Sequence, residues 1–180
     1  RHGQNFMRRN LEVVQPEGHA TDVFTDWACR YLEERSRAGQ PFLLYLAHTA
    51  VHVPLYPGKA FRGKSANGTY GDWVEEVDWS VGQVLDTVRE LKLEQQTLVI
   101  FTSDNGPWLT YGNHGGSAKP LRDGKTNTFD GGQRTPCIMR WPGQIPGGRI
   151  CREIATTMDL LPTLVQLAGA KLPVSSPRRE

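Results

Sequence analysis

The chain has 180 residues, within the ~100–200 that one domain with its own core usually takes, so it is one domain or part of one. With 38% hydrophobic and 22% charged residues, it is neither a disordered tail nor a fibrous repeat. The 21 Lys and Arg nearly balance 19 Asp and Glu, and the net charge of +2 is spread along the chain apart from Arg8-Arg9 and Arg178-Arg179, which gives nucleic-acid binding no support.

Residues 1–20 read as an irregular leader: polar, without a period, without an apolar signal region, and starting at Arg1 rather than Met, as expected of a segment of something longer. In residues 21–38, Val23, Phe24, Trp27, Ala28, Tyr31 and Leu32 recur at three and four, with Thr21 placed to cap and Gly39 to stop a helix. Pro41 opens the apolar run 42–47, which suits a central strand covered on both faces. From about Asp72 to Leu93 the stripe Val74, Val77, Val81, Val84, Leu85, Val88 and Leu91 predicts the longest helix, with Glu75, Glu76, Asp86 and Arg89 off it. Residues 97–101 read as a second buried strand, so strand, helix and strand form a right-handed crossover with parallel strands, and the class is α/β. Residues 103–135 form a glycine-rich loop far longer than the usual ~4–6 residues, a length that in compact α/β domains usually serves function. Residues 137–141 give a third strand, 158–168 a helix ended by Gly169, and 171–180 a mobile tail. No apolar run approaches the ~20 residues of a membrane span.

Ligands of open parallel sheets bind outside the carboxyl ends of the strands, where three clusters stand: residues 48–54, 102–107 and 121–125. Asp104 and Asn105 offer hard oxygen ligands suited to Ca²⁺ or Mg²⁺, though Asp-Asn-Gly-Pro is also ordinary turn chemistry and two oxygens fall short of the six to eight that Ca²⁺ takes. His52 can give a proton or a hydrogen bond to a leaving oxygen, or serve as a structural loop histidine. Lys125 can set a point charge on an anion, or be a solvated lysine. Trp108 and Tyr111 can stack on a sugar or aryl ring, or form the loop's own small core. Asn67-Gly68-Thr69 matches the N-glycosylation acceptor in what reads as loop. Cys29, Cys137 and Cys151 lack paired CxxC spacing, against a zinc site and a complete disulfide framework; Cys29 and Cys137 read as small buried hydrophobes.

Three blocks go further than spacing: Phe101-Thr102-Ser103-Asp104-Asn105-Gly106-Pro107, Pro120-Leu121-Arg122-Asp123-Gly124-Lys125, and Thr128-Phe129-Asp130-Gly131-Gly132-Gln133-Arg134-Thr135-Pro136 leading to Arg140-Trp141-Pro142-Gly143. Together they resemble the type I sulfatase family of the alkaline-phosphatase-like superfamily, and the likeness runs from residue 21 to 169. The resemblance implies an α/β, alkaline-phosphatase-like three-layer fold with a mostly parallel central sheet, incomplete here, with residues 21–170 as the C-terminal part of the catalytic domain. It implies hydrolysis of sulfate monoesters, on a sulfated sugar or aryl compound, with one Ca²⁺ and a formylglycine nucleophile. Asp104 and Asn105 match the family's second pair of metal ligands, His52 the histidine that contacts the sulfate and protonates the leaving group, and Lys125 the lysine on a sulfate oxygen. The 113–117 loop resembles bacterial members acting on sulfated sugars and makes His114 a substrate-side candidate. The family location is periplasmic, secreted or lysosomal.

The resemblance departs in two places. Cys29, Cys137 and Cys151 do not begin the family's Cys/Ser-x-Pro-x-Arg nucleophile motif, and the first Asp pair of the metal site is absent. Both are therefore expected in an N-terminal half outside this chain, which would be its partner in the same domain. Two other readings stay open: a phosphate mono- or diester hydrolase of the same superfamily, and a truncated non-catalytic chain that binds sulfated glycans.

Overall fold

The computed structural model describes residues 7–172, so the first six leader residues and residues 173–180 of the expected mobile tail lie outside the described residues. The chain divides into two compact units, residues 1–145 and 146–180.

In the first unit the leader is not irregular throughout: β1 (Met7–Arg9) and β2 (Glu12–Val14) pair antiparallel across Asn10, whose φ of 57° asparagine tolerates better than most side chains. α1 spans Ala20–Ala38. His19, with extended backbone, precedes it where Thr21 had been expected, and Thr21 lies inside the first turn, buried. The far end closes as expected: Gly39 adopts φ 61°, its N–H reaches the Ser36 carbonyl at 3.0 Å, and the Gln40 N–H reaches that of Arg35 at 3.2 Å.

α2 spans Gly68–Glu90, starting before the expected Asp72. Asp72 instead reaches back from inside the helix. Its carboxylate accepts the N–H groups of Gly63 (2.7 Å), Lys64 (3.0 Å) and Ser65 (2.8 Å), which folds the preceding loop onto the first turn. These bonds, led by that from Ser65, hold its carboxyl below the usual carboxylate range. The buried face also differs from the predicted stripe: Val74 is 41% exposed and Trp73, Glu76 and Ser80 are buried, while Val88 is buried as predicted. Glu76 was expected off the core and is fully enclosed, where Oε2 accepts the Gly58 N–H at 2.6 Å, while Oε1 stands 2.6 Å from His19 Nδ1 without a hydrogen bond to it.

Val23, Ala28 and Leu32 of α1 with Trp73 and Val88 of α2 are the buried apolar side chains where the two helices pack. A polar seam runs beside them. The Thr25 hydroxyl donates to the Thr21 carbonyl (2.7 Å) and so accepts from Ser80 Oγ at 2.5 Å, which leaves Ser80 to accept from His48 Nε2 at 3.2 Å. His48 Nδ1 is then buried without a partner. Burial lowers the His48 pKa, against a smaller raising effect of Glu76.

Residues 42–47 do not form the expected central strand. They lie outside any helix or ladder, with Leu43 and Tyr45 72% and 87% exposed. The parallel crossover is accordingly not formed within this chain: β3 (Val99–Thr102) pairs antiparallel with β4 (Cys137–Arg140), from Val99 opposite Arg140 to Thr102 opposite Cys137. The faces read as covered are open, with Ile138 63% exposed and Cys137 exposed, since no second layer packs on this ladder among the described residues. A 3₁₀ turn at Glu94–Gln96 pins the open end of the ladder: Glu94 pairs with Arg140 at 2.5 Å, and Trp141 Nε1 donates to the Gln95 carbonyl at 3.0 Å.

In the second unit the helix expected at 158–168 appears as a 3₁₀ turn, Thr157–Asp159, running into a short α-helix, Leu160–Leu167. The Thr156 N–H and the Asp159 carboxylate (2.6 Å) close its start, and Gly169 at φ 69° closes its end.

Two predictions follow from this packing. Leu32→Ala, at 1% exposure, lowers stability by about 2–5 kcal/mol in denaturant titration, while Val74→Ala stays within about 0.5 kcal/mol of the parent, the reverse of what a core role for Val74 requires. His48 and Asp72 are both lowered, so each contributes stability at higher pH that is lost on acidification: His48 below its unfolded value near ~6.5, Asp72 below ~3.9. Thermal unfolding between pH 8 and 2 shows both declines, with His48→Gln flattening the first and Asp72→Asn the second.

Candidate functional site

β3 delivers Asp104 and Asn105 just past its carboxyl end, Asp104 exposed and Asn105 half-buried. Thr102 Oγ1 donates to the Pro136 carbonyl (3.0 Å) and Ser103 Oγ to that of Asn105 (3.0 Å). Beyond them three stretches of the long loop lie main chain against main chain. The Gly106 N–H donates to Gly132 O at 2.9 Å, Lys125 N–H to Pro107 O at 2.9 Å, and Gly131 N–H to Arg122 O at 2.8 Å. A Cβ on Gly106 would strike the Gly131 carbonyl, one on Gly124 the Pro107 carbonyl, and one on Gly131 the Asp123 carbonyl. The glycines are what let these backbones touch.

Lys125 is thereby fixed beside the stretch that follows Asn105. Asp123 and Thr126 flank it at φ 61° and 77°, a conformation that strains a β-branched threonine and is held by the surrounding bonds. Its ammonium lies 4.9 Å from the centroid of the Trp108 ring. The His52 ring packs on the same indole, centroids 5.6 Å apart, and Tyr111 meets it edge-on at 4.6 Å. Trp108 is thus the hub that brings His52 and Lys125 together. The sequence offered Trp108 and Tyr111 as ring-stacking candidates, and no spacing signal shows that His52, 56 positions earlier, would meet this indole.

His52 Nδ1 is 2.7 Å from the Val53 carbonyl, which can only accept, so Nδ1 carries a proton and Nε2 is the nitrogen left for a ligand. His114 ends the 3₁₀ segment Leu109–His114 in the same loop, exposed, and no ring contact joins it to His52 or Trp108 among the described residues. Arg122 covers the Phe129 ring at 3.6 Å, closing the loop's other side. Together these groups form an open rim. A concavity of about 390 Å³ between Tyr56, Arg62 and Asp72 is lined by none of them.

Gly106→Ala forces the Gly132 and Pro107 bonds apart, so proteolysis within residues 119–132 accelerates and amide protection at Lys125 and Gly131 falls. Gly82→Ala, whose Cβ meets nothing within 4 Å, leaves both unchanged.

The family model described as Sulfatase matches residues 3–170. The chain is 42% identical to N-acetylgalactosamine-6-sulfatase of Canis lupus familiaris over 172 residues, 95% of this chain and 33% of that protein. It is 42% identical to steryl-sulfatase of Homo sapiens over 176 residues, 93% and 30% of the two chains. Among solved structures, Ps i-CgsB in complex with k-i-k-neocarrahexaose superposes with a TM-score of 0.84 at 31% identity, over 91% of this chain and 37% of that one. The chain therefore spans about a third of the length of the curated relatives it matches.

Proposed function

The chain belongs to the Sulfatase family, with the α/β, alkaline-phosphatase-like fold of its structural relatives, and we propose that it supplies one side of a site that hydrolyses sulfate monoesters. The observation that carries this reading is the convergence of Lys125 and His52 on Trp108, beside the strand end that bears Asp104 and Asn105.

A sulfate monoester brings a fixed negative charge, and Lys125, half-buried and braced by main-chain bonds, meets one of its oxygens with a point positive charge. Cleavage needs a proton at the departing alkoxide. His52, with Nδ1–H held by the Val53 carbonyl, presents Nε2 to that oxygen and donates from it when the ring is doubly protonated. A carboxylate and an amide oxygen suit a hard cation in kind, so Asp104 and Asn105 would hold Ca²⁺, supplying two of the six to eight oxygens it takes. Bound there, Ca²⁺ would draw charge from the sulfate oxygens. Asp104, as the charged ligand, matters more to holding it than Asn105.

The nucleophile is proposed as a formylglycine in the part of the whole protein that precedes these residues. The bare pattern Ser-x-Pro-x-Arg does occur once, at Ser175-Ser176-Pro177-Arg178-Arg179, beyond the residues the family model matches and outside the described residues. The substrate is proposed as a sulfated sugar or aryl sulfate, in keeping with the sugar sulfate named in the N-acetylgalactosamine-6-sulfatase relative, and His114 as a contact to its outer part. No helix among the described residues is long and apolar enough to cross a membrane, and a periplasmic, secreted or lysosomal location is proposed.

Activity assays on the whole protein test the roles separately. Lys125→Ala lowers kcat/KM for sulfate esters by roughly 10²–10³ without rescue by Ca²⁺, whereas the loss in Asp104→Ala is partly restored by excess Ca²⁺. His52→Ala costs most with sugar-alcohol leaving groups and least with nitrophenol, and equal losses on both remove it from the acid role. The 180-residue chain alone turns over no aryl sulfate; turnover abolished by Ser175→Ala would place the nucleophile in this chain instead. Faster turnover of nitrophenyl phosphate than of the sulfate would assign the site to phosphate esters.

A further inference from the structure

A second cluster, sharing no residue with the rim, lies where α1 begins. His19 precedes the helix, Asp22 stands in its first turn, and Glu76 enters from α2; one ligand atom of each lies within 4.8 Å of the others. The side chains of Glu76 and His19 are 0% and 16% exposed, and Asp22 faces solvent.

His19 Nε2 is 2.7 Å from the Tyr56 carbonyl, an acceptor only, so Nε2 carries a hydrogen and Nδ1 is the nitrogen left for a ligand. That nitrogen is buried without a hydrogen-bond partner, and so is Glu76 Oε1, although the two stand 2.6 Å apart: the contact is close but not aligned as a hydrogen bond. Glu76 Oε2 is occupied by the Gly58 N–H. Two electron-rich atoms, withdrawn from water and unpaired, therefore sit side by side with a second carboxylate in reach. Buried groups of this kind require a compensating charge. A shared proton compensates only along the nitrogen–oxygen line, whereas a cation takes lone pairs arriving from different directions.

We propose that His19 Nδ1, Glu76 Oε1 and an Asp22 oxygen form a binding site for a divalent transition-metal ion of the zinc class. One imidazole and two carboxylates make a mixed nitrogen and oxygen set, which suits Zn²⁺; Ca²⁺ prefers six to eight oxygens. The positive end of α1, worth roughly half a charge, opposes a cation there, and the two carboxylates outweigh it. The His19 ring is held near Tyr56 and Trp73, centroids 6.3 and 6.4 Å away, so its lone pair keeps one direction. The ion ties the start of α1 to α2 and, through Glu76, to the Gly58 loop. The exposed Asp22 side gives it a path in.

The test uses the full 180-residue chain stripped with a chelator and titrated calorimetrically with ZnCl₂ and, separately, CaCl₂. One equivalent of Zn²⁺ binds, raises the thermal midpoint, and is not replaced by Ca²⁺ at the same concentration. Asp22→Asn, at a solvent-facing position, keeps the circular dichroism of the parent and weakens Zn²⁺ at least tenfold; Co²⁺ loaded in place of Zn²⁺ shows visible absorption that His19→Gln removes. Three results overturn the proposal: no heat and no midpoint shift with Zn²⁺, Zn²⁺ affinity unchanged in Asp22→Asn, or binding that alkylation of Cys29, Cys137 and Cys151 abolishes.

Discussion

At Gly106, Gly124 and Gly131 the main chain of one loop stretch rests directly on that of another, with no room for a Cβ, and the loop groups of the rim are arranged around that contact. Asp104 and Asn105 precede it, Lys125 hangs from it by its own N–H, and Trp108 follows it closely enough to receive both Lys125 and His52. Neutral hydrogen bonds each return about 0.5–1.5 kcal/mol, while ordering each residue costs about 1–2 kcal/mol, so the bonds alone do not hold so long a loop. The aromatic cluster on Trp108 and the Arg122–Phe129 stack supply burial that the main-chain bonds lack. Rim chemistry and loop packing are therefore the same structure: the indole that steadies the loop also sets the spacing between an ammonium and an imidazole.

The helix pair beneath depends on polar groups to an unusual degree. Ser80 and Glu76 are as deeply enclosed as Leu32 and Thr25 is buried beside them, and each is tolerated there because a partner from another segment reaches it. Such a seam fixes register. A shift of α2 by one residue would strand a carboxylate in the core, which leucine and valine alone would not forbid.

How far the sequence could be read follows from the range of each interaction. Helix ends governed by neighbours were legible: Gly39 and Gly169 stop their helices through conformations that only local chemistry decides. Strand-end placement of Asp104 and Asn105 was equally legible, because the apolar run before them is short and sharply bounded. The buried face of α2 was not, since a stripe of valines takes no account of what His19, Gly58 and His48 bring to Glu76 and Ser80 from far along the chain. Residues 42–47 read as a central strand because composition reports what a segment is suited to, while pairing requires neighbours that this chain does not place there. The family likeness supplied the roles proposed for His52 and Lys125, and their meeting at Trp108 came only from three dimensions.

The β3–β4 ladder also sets an order of events in time. Thr102 and Pro136, joined by a hydrogen bond at its edge, are 34 positions apart, and each doubling of such a loop adds only about 0.6 kcal/mol of closure entropy, yet that cost precedes any reward. The packing of α1 on α2 needs none of β4. During synthesis at ~5–20 residues per second, several seconds pass between the emergence of Thr102 and that of Arg140. For that interval the ribosome carries a chain whose helices can already pack while β3 waits with one edge bare, so the rim follows the helix pair.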